Sequence, residues 1–140
     1  MYKKILVATD SSKYSRQALS TAITFASVFG AEIELLHVVV EPESYGIYST
    51  SLDLSDDRLD EIGDKIFERT LKGLDTKQVK ITKKVLIGRP STTINDEVKS
   101  QNIDLVVIGE RGYAPFLGSF VGSVTLRVIA EASCPVVVVK

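Results

Sequence analysis

The sequence predicts one α/β domain built on a parallel sheet with helices on both faces, a three-layer sandwich. Five short runs rich in Val and Ile punctuate the 140 residues, and stretches of helical periodicity separate them. No repeat or linker divides the chain, whose length suits one core spanning residues 1–140 and is too short for two. Strands alternating with helices favour a parallel sheet joined by right-handed crossovers.

The strand runs are Ile5–Ala8, Ile33–Val40, Val79–Ile87, Leu105–Ile108 and Val136–Val139. The first, fourth and fifth are nearly continuous in apolar residues, as expected of strands buried on both faces. The third alternates, with Lys83 among Val79, Ile81, Val85 and Ile87, which predicts a wetter face or a sheet edge. Between the first two runs, Leu19, Ala22, Ile23, Ala26 and Phe29 form one apolar helical stripe, stopped by Gly30. A second stripe, Leu59, Ile62, Ile66 and Leu71, spans about 55–74 and begins with Asp56 and Asp57, acidic residues suited to a first turn. Pro90 and Ser91 start a shorter helix carrying Ile94 and Val98. Val124, Val128, Ile129 and Ala132 mark the last, which ends before Pro135. Glu41–Leu54 is long for a connection in so small a domain, and reads as a functional flap or a mobile segment.

Ligands of open α/β sheets lie beyond the carboxyl ends of the strands. Three groups of residues collect there: Ala8-Thr9-Asp10 after the first run, Val38–Val40 ending the second, and Gly109–Gly112 after the fourth. Gly122 and Ser123 then open a helix. Glycines let backbone approach a ligand closely, and the free amides of a helix start attract anions, phosphate above all. Each residue also has a structural reading. Asp10 suits a ribose or metal contact and equally an N-cap or Asx-turn, with Ser11 and Ser12 competing for the cap. Gly109 and Gly112 suit turns, and Ser123 suits an N-cap. Taken together, Gly109, Gly112 and Gly122-Ser123 favour the ligand reading. Arg111 and Arg89 are candidate phosphate partners, Arg111 the stronger, whereas Glu110 would repel phosphate unless it points away. His37 reads as a packed, hydrogen-bonded imidazole and Cys134 as a small buried hydrophobe. Tyr45 and Tyr48 are of a kind that covers an aromatic base.

Several classes are excluded. The formal net charge of −1 gives no electrostatic case for nucleic acid or an anionic membrane. No apolar run approaches the roughly 20 residues of a membrane span. The amino terminus has no signal-peptide pattern, and with a single cysteine the expected location is the cytoplasm. There is no G-x-x-x-x-G-K-[ST], no G-x-G-x-x-G and no nucleophile elbow. One His and one Cys give no metal-ligand spacing. A phosphate site without evident catalytic machinery favours binding over turnover.

Gly109-Glu-Arg-Gly112, nine residues, then Gly122-Ser123 form G-x2-G-x9-G-[ST], which resembles the universal stress protein family. The resemblance extends through KKILVATD, ELLHVV, GRP, DLVVIG and CPVVVV. It implies an adenine nucleotide alpha hydrolase-like fold, a five-stranded parallel sheet in the order 3-2-1-4-5. It also implies ATP at the strand ends, with Mg or Mn as an accompanying metal and ADP or AMP as alternative ligands. Ala8, Thr9 and Asp10 would line the adenosine, and the Val38 backbone would meet the adenine edge. Gly109, Gly112, Gly122, Ser123, Val124 and Thr125 would wrap ribose and phosphates. Ala8 departs from a common proline, and Glu110 from a small polar residue. A homodimer through Val136–Val139 is expected, because that strand would otherwise leave an apolar edge. The leading expectation is an ATP-binding stress-response or regulatory protein. The alternatives are a slow metal-dependent ATP hydrolase or phosphotransferase and a nucleotide-free dimeric adaptor.

Overall fold

A computed structural model describes residues 1–40, 55–113 and 121–140. The expected flap, Glu41–Leu54 with Tyr45 and Tyr48, lies outside the described residues. Five strands, β1 (Lys4–Ala8), β2 (Glu32–Val40), β3 (Ile81–Gly88), β4 (Leu105–Gly109) and β5 (Val136–Val139), alternate with helices α1 (Lys13–Phe29), α2 (Asp56–Leu71), α3 (Pro90–Ser100) and α4 (Ser123–Glu131). The sheet is parallel, in the order β3-β2-β1-β4-β5. This is the order that the family resemblance implied.

Successive side chains of a strand face opposite sides of the sheet, and two cores result. Ile5 and Val7 of β1, Ile33 and Leu35 of β2, and Leu105 and Val107 of β4 pack against Ala18, Leu19, Ala22 and Ala26 of α1 and Phe67 of α2. Leu6, Leu36, Val106 and Ile108 face the other way, onto Ile94 and Val98 of α3 and Val128 of α4. Strands β1 and β4 are the continuous runs, and they occupy the middle of the sheet. The third run is an edge strand, as its alternation predicts, but it begins later than expected. Val79 is buried outside the strand, its N–H donating to Thr76 O in a turn.

The fifth run corrects an expectation. It reads as buried on both faces, yet all four valines of β5 are only half-buried, because β5 is the other edge and pairs with β4 alone.

Helix boundaries follow local chemistry. Ser12 caps α1, its hydroxyl accepting from Ser15 N–H, and Gly30 ends the helix at φ 67°, a left-handed conformation that suits glycine. Ser55 caps α2 in the same way. Pro90 opens α3 at its first turn. The start of the sheet is pinned by Asp104, whose Oδ2 accepts the N–H groups of Lys3 and Lys4, each at 2.9 Å. Those two bonds hold its carboxyl below the ordinary carboxylate range.

Candidate functional site

The carboxyl ends of β1, β2 and β4 open onto a cavity of about 280 Å³. Its walls come from Ala8, Thr9 and Asp10 after β1, Leu36 to Val38 with Val40 on β2, Pro90 and Ile94 on α3, and Ile108 and Gly109 on β4. Arg111, Gly112, Val124, Thr125 and Ser15 complete it. Among the described residues the cavity therefore has an apolar half of aliphatic side chains and a polar rim carrying the Asp10 carboxylate and the Arg111 guanidinium. Of the candidate residues, Ala8, Thr9, Asp10, Val38, Gly109, Arg111, Gly112, Val124 and Thr125 line it. Gly122 and Ser123 do not, although they adjoin it as the N-cap and first residue of α4. Arg89 lies exposed at the N-cap of α3, away from the wall.

Asp10 follows β1 at the point where the chain turns into α1. Its Oδ1 accepts from Ser12 N–H at 2.9 Å, an Asx-turn, and from the Ser15 hydroxyl at 3.2 Å. Its Oδ2 accepts from Tyr113 N–H at 3.1 Å, and the Tyr113 hydroxyl donates to Ser11 O at 2.9 Å. The loop after β1 is thus tied to the glycine loop after β4. Ser11 itself sits at φ 65°, an uncommon conformation for a residue with a side chain. Thr9 turns its hydroxyl inward, 2.7 Å from Thr70 Oγ1 and 3.0 Å from Ser15 Oγ, so it meets the cavity chiefly through its backbone. Its carbonyl is 2.7 Å from His37 Nδ1. A carbonyl only accepts, so Nδ1 carries the proton. His37 is the packed, hydrogen-bonded imidazole the sequence suggests, and it also lines the cavity.

The three motif glycines each meet the protein's own atoms. A Cβ on Gly109 would lie 2.9 Å from the Tyr14 backbone, and one on Gly112 only 2.1 Å from Asp10 Oδ2. On Gly122 it would lie 3.2 Å from Arg111 Cα. The Gly122 N–H donates to Glu110 O, and Glu110 N–H to Val139 O, so the loop is stitched to the sheet. The structural alternative for Ser123 does not form: Gly122 holds the N-cap position and no side chain caps α4. Ser123 is exposed at the first helical position. The first amides of α4 are left for whatever adjoins them. Thr125 is buried and donates its hydroxyl to Gly109 O at 2.8 Å, which fixes α4 against the end of β4.

Sequence reasoning missed a charged cluster that joins β2, β3 and α3. Glu34 of β2 and Glu97 of α3 share a hydrogen bond, and Lys84 of β3 pairs with Glu97. Burial, then the bond and charge of Glu97, push the Glu34 carboxyl up to about 7. Burial alone would raise Glu97 as well, but the Glu34 hydrogen bond and the Lys84 ammonium outweigh it and hold Glu97 below its ordinary value. The two shifts run in opposite directions, so Glu34 keeps its proton to higher pH than Glu97 does. Cys134 is half-buried against the α3–α4 core, and burial pushes its thiol up, away from the reactive thiolate. Among the described residues no cluster of three His, Cys, Asp or Glu could hold a metal, and no helix is long and apolar enough to cross a membrane.

Comparison with known proteins matches the whole chain, residues 1–140, to the model of the Universal stress protein family. The chain is 35% identical to the universal stress protein MJ0531 of Methanocaldococcus jannaschii, over 100% of this chain and 83% of that protein. It superposes on the solved structure of MJ0577, from the same organism, with a TM-score of 0.82 at 30% identity, covering 100% and 96% of the two chains. The fold is also shared, at a TM-score of 0.64 and 22% identity, with a universal stress protein of Archaeoglobus fulgidus solved in complex with dAMP. That match covers 99% of this chain and 98% of the other.

Proposed function

The chain belongs to the universal stress protein family, and from that premise we propose that it is a cytoplasmic stress-response protein that binds ATP at the carboxyl ends of its strands. One observation carries the reading. The uncapped amino end of α4 and the glycine loop of β4 adjoin a cavity whose opposite half is apolar. That combination suits a ligand with a flat apolar base and an anionic tail. The dAMP complex of the Archaeoglobus fulgidus protein supports an adenine nucleotide as that ligand.

The residues fit such a group. Leu36, Val38, Val40 and Ile94 offer a dry slot for the base. A carboxylate has about four acceptor positions. Among the described residues Asp10 accepts from Ser12, Ser15 and Tyr113, so a position remains there for a ribose hydroxyl. The Gly112 backbone, the first amides of α4 and the Ser123 hydroxyl would meet the phosphates beside Gly109 and Gly122, with Arg111 at the rim. ATP acts as a ligand that shifts the protein toward its ordered conformer to the extent that it binds that conformer more tightly. A divalent metal would arrive on the phosphates.

Freshly purified protein, denatured and its released small molecules identified by mass spectrometry, is expected to yield an adenine nucleotide, ATP foremost. Calorimetry with ATP and Mg²⁺ should show saturable binding at one site per chain. Empty protein with no heat of binding would overturn the reading. Phosphate release in step with Asp10-dependent metal turnover would replace it with the hydrolase alternative.

The same proposal includes a homodimer joined through β5. Its outer edge pairs with no strand among the described residues, and exposed Leu126 and Ile129 on α4 extend the apolar surface. Light scattering should give twice the chain mass for the wild type. Val138→Glu should return monomer or unfolded chain, and an unchanged dimer would exclude the edge.

A further inference from the structure

A row of buried hydroxyls runs from α2 to the rim of the cavity. Thr70 of α2 is 0% exposed, and Thr9 and Ser15 are each 5% exposed. Thr70 Oγ1 lies 2.7 Å from Thr9 Oγ1, which lies 3.0 Å from Ser15 Oγ, which lies 3.2 Å from Asp10 Oδ1. Thr9, Ser15 and Asp10 line the cavity, and Thr70 stands behind them on another helix. Thr70 shares the buried face of α2 with Gly63 and Phe67, a place where an aliphatic residue would pack without needing a partner.

The direction of donation follows from counting protons, one per hydroxyl. Asp10 is the charged end of the row and its strongest acceptor, so Ser15 donates to it. Ser12 O, 3.0 Å from Ser15 Oγ, already accepts Arg16 N–H. With its proton on Asp10, Ser15 accepts from Thr9. Thr9 Oγ1 in turn accepts Ser11 N–H at 2.9 Å and the Thr70 hydroxyl. Ile66 O, 2.7 Å from Thr70 Oγ1, is a carbonyl inside α2 that the helix ladder serves. Aligned O–H donors polarise one another, so loss of the far donor weakens the near one. A Ser15 hydroxyl with less behind it turns more readily to Ser12 O, and Asp10 loses a fixed direction. We propose that Thr70 is a positioning residue that acts through Thr9 and Ser15 to hold the Asp10 carboxylate for the ribose hydroxyls of the ligand. This rests on the nucleotide reading and goes beyond it: recognition of the sugar then depends on how α2 is seated, although none of its described residues lines the cavity.

Calorimetric titration of full-length protein with ATP and with 2′,3′-dideoxy-ATP, which lacks both ribose hydroxyls, tests the assignment. Thermal melts establish folding of each variant. Wild type should favour ATP about tenfold, the scale of one hydrogen bond to a carboxylate. Ser15→Ala should cut that preference about fivefold and Thr70→Val about threefold, each with dideoxy affinity little changed. Thr70→Ser keeps the hydroxyl and should restore the wild-type ratio, and Thr70→Ala stands in if Thr70→Val does not fold. Ser15→Ala combined with Thr70→Val should discriminate no worse than Ser15→Ala alone, because the links act in series. An unchanged ratio in Thr70→Val, equal losses for both nucleotides, or a Thr70→Ser variant no better than Thr70→Val would show a packing role and overturn the assignment. Equal binding of the two nucleotides by wild type would overturn it too. If wild-type protein binds neither, the nucleotide reading itself falls and takes the assignment with it.

Discussion

At pH 8, Lys84→Met should lower the free energy of unfolding by about 2–3 kcal/mol, and at pH 5 by much less. The substitution keeps the aliphatic stem and removes the cation that faces Glu97, a carboxylate only 5% exposed. Breaking a fully buried pair costs more, but the Lys84 side chain is 35% exposed, so water recovers part of the loss. The pH dependence comes from Glu34. Its folded pKa of about 7 lies above the ordinary value of 4.5, so the folded state holds that proton more tightly than the unfolded chain. The resulting stabilisation is complete below about pH 4.5, declines as pH rises, and is lost above about 7. Without Lys84, two ionised carboxylates above that range have only each other. Glu34→Gln keeps a donor to Glu97 but cannot ionise. It should be close to wild type at pH 5 and more stable at pH 8, on the order of 1–3 kcal/mol. Urea unfolding of the three proteins from pH 5 to pH 8.5 reads both effects. A pH-independent loss in Lys84→Met would mean that packing, not charge, is what the lysine supplies.

Gly109→Ala should cost about 2 kcal/mol, which corresponds to a fall in Tm of roughly 6 °C for a domain of this size. The added methyl meets the backbone carbon, oxygen and Cβ of Tyr14 at 2.9 Å, and the first turn of α1 can yield only by moving as a unit. That turn carries the Ser12 cap and the Ser15 hydroxyl on Asp10, so the displacement reaches the cavity. Affinity for the proposed nucleotide should fall along with stability, and Gly109→Val should be worse on both counts. An alanine variant melting within 1 °C of wild type would refute the close contact between α1 and β4.

Much of this architecture can be read before any coordinates. The Val and Ile runs, the acidic first turn at Asp56 and Asp57, Gly30 and Pro90 mark their elements because each acts locally, within a turn or a strand. The gathering of Asp10, Val38 and Gly109 follows from the rule that parallel strands present one end to a ligand. Strand order does not follow from periodicity; it came with the family resemblance. Contacts across the fold are likewise silent in one dimension. Nothing in AEIELL, ITKKVL or NDEVKS says that Glu34, Lys84 and Glu97 meet, since a polar residue in a strand looks the same whether it faces water or a partner. Ser123 misleads for a related reason: serine after glycine is a natural cap, but the chain enters α4 one residue earlier. Thr70 carries no motif at all, and only the contact of α2 with the residues after β1 gives it a role.

The pairing of β1 with β4 also bears on how the cavity comes into being. Asp104 reaches Lys3 across 101 residues of chain, and both rims of the cavity depend on that closure. Bringing such distant segments together costs about 4 kcal/mol in chain entropy, and contacts of this separation form late and slowly. A nascent chain still missing β4 has the β1 and β2 wall of the cavity without the glycine loop that completes it. Ligand binding would then draw only on fully closed molecules and stabilise those alone, by RT ln(1 + [L]/Kd). Occupancy of this cavity would register completed folding as well as nucleotide concentration.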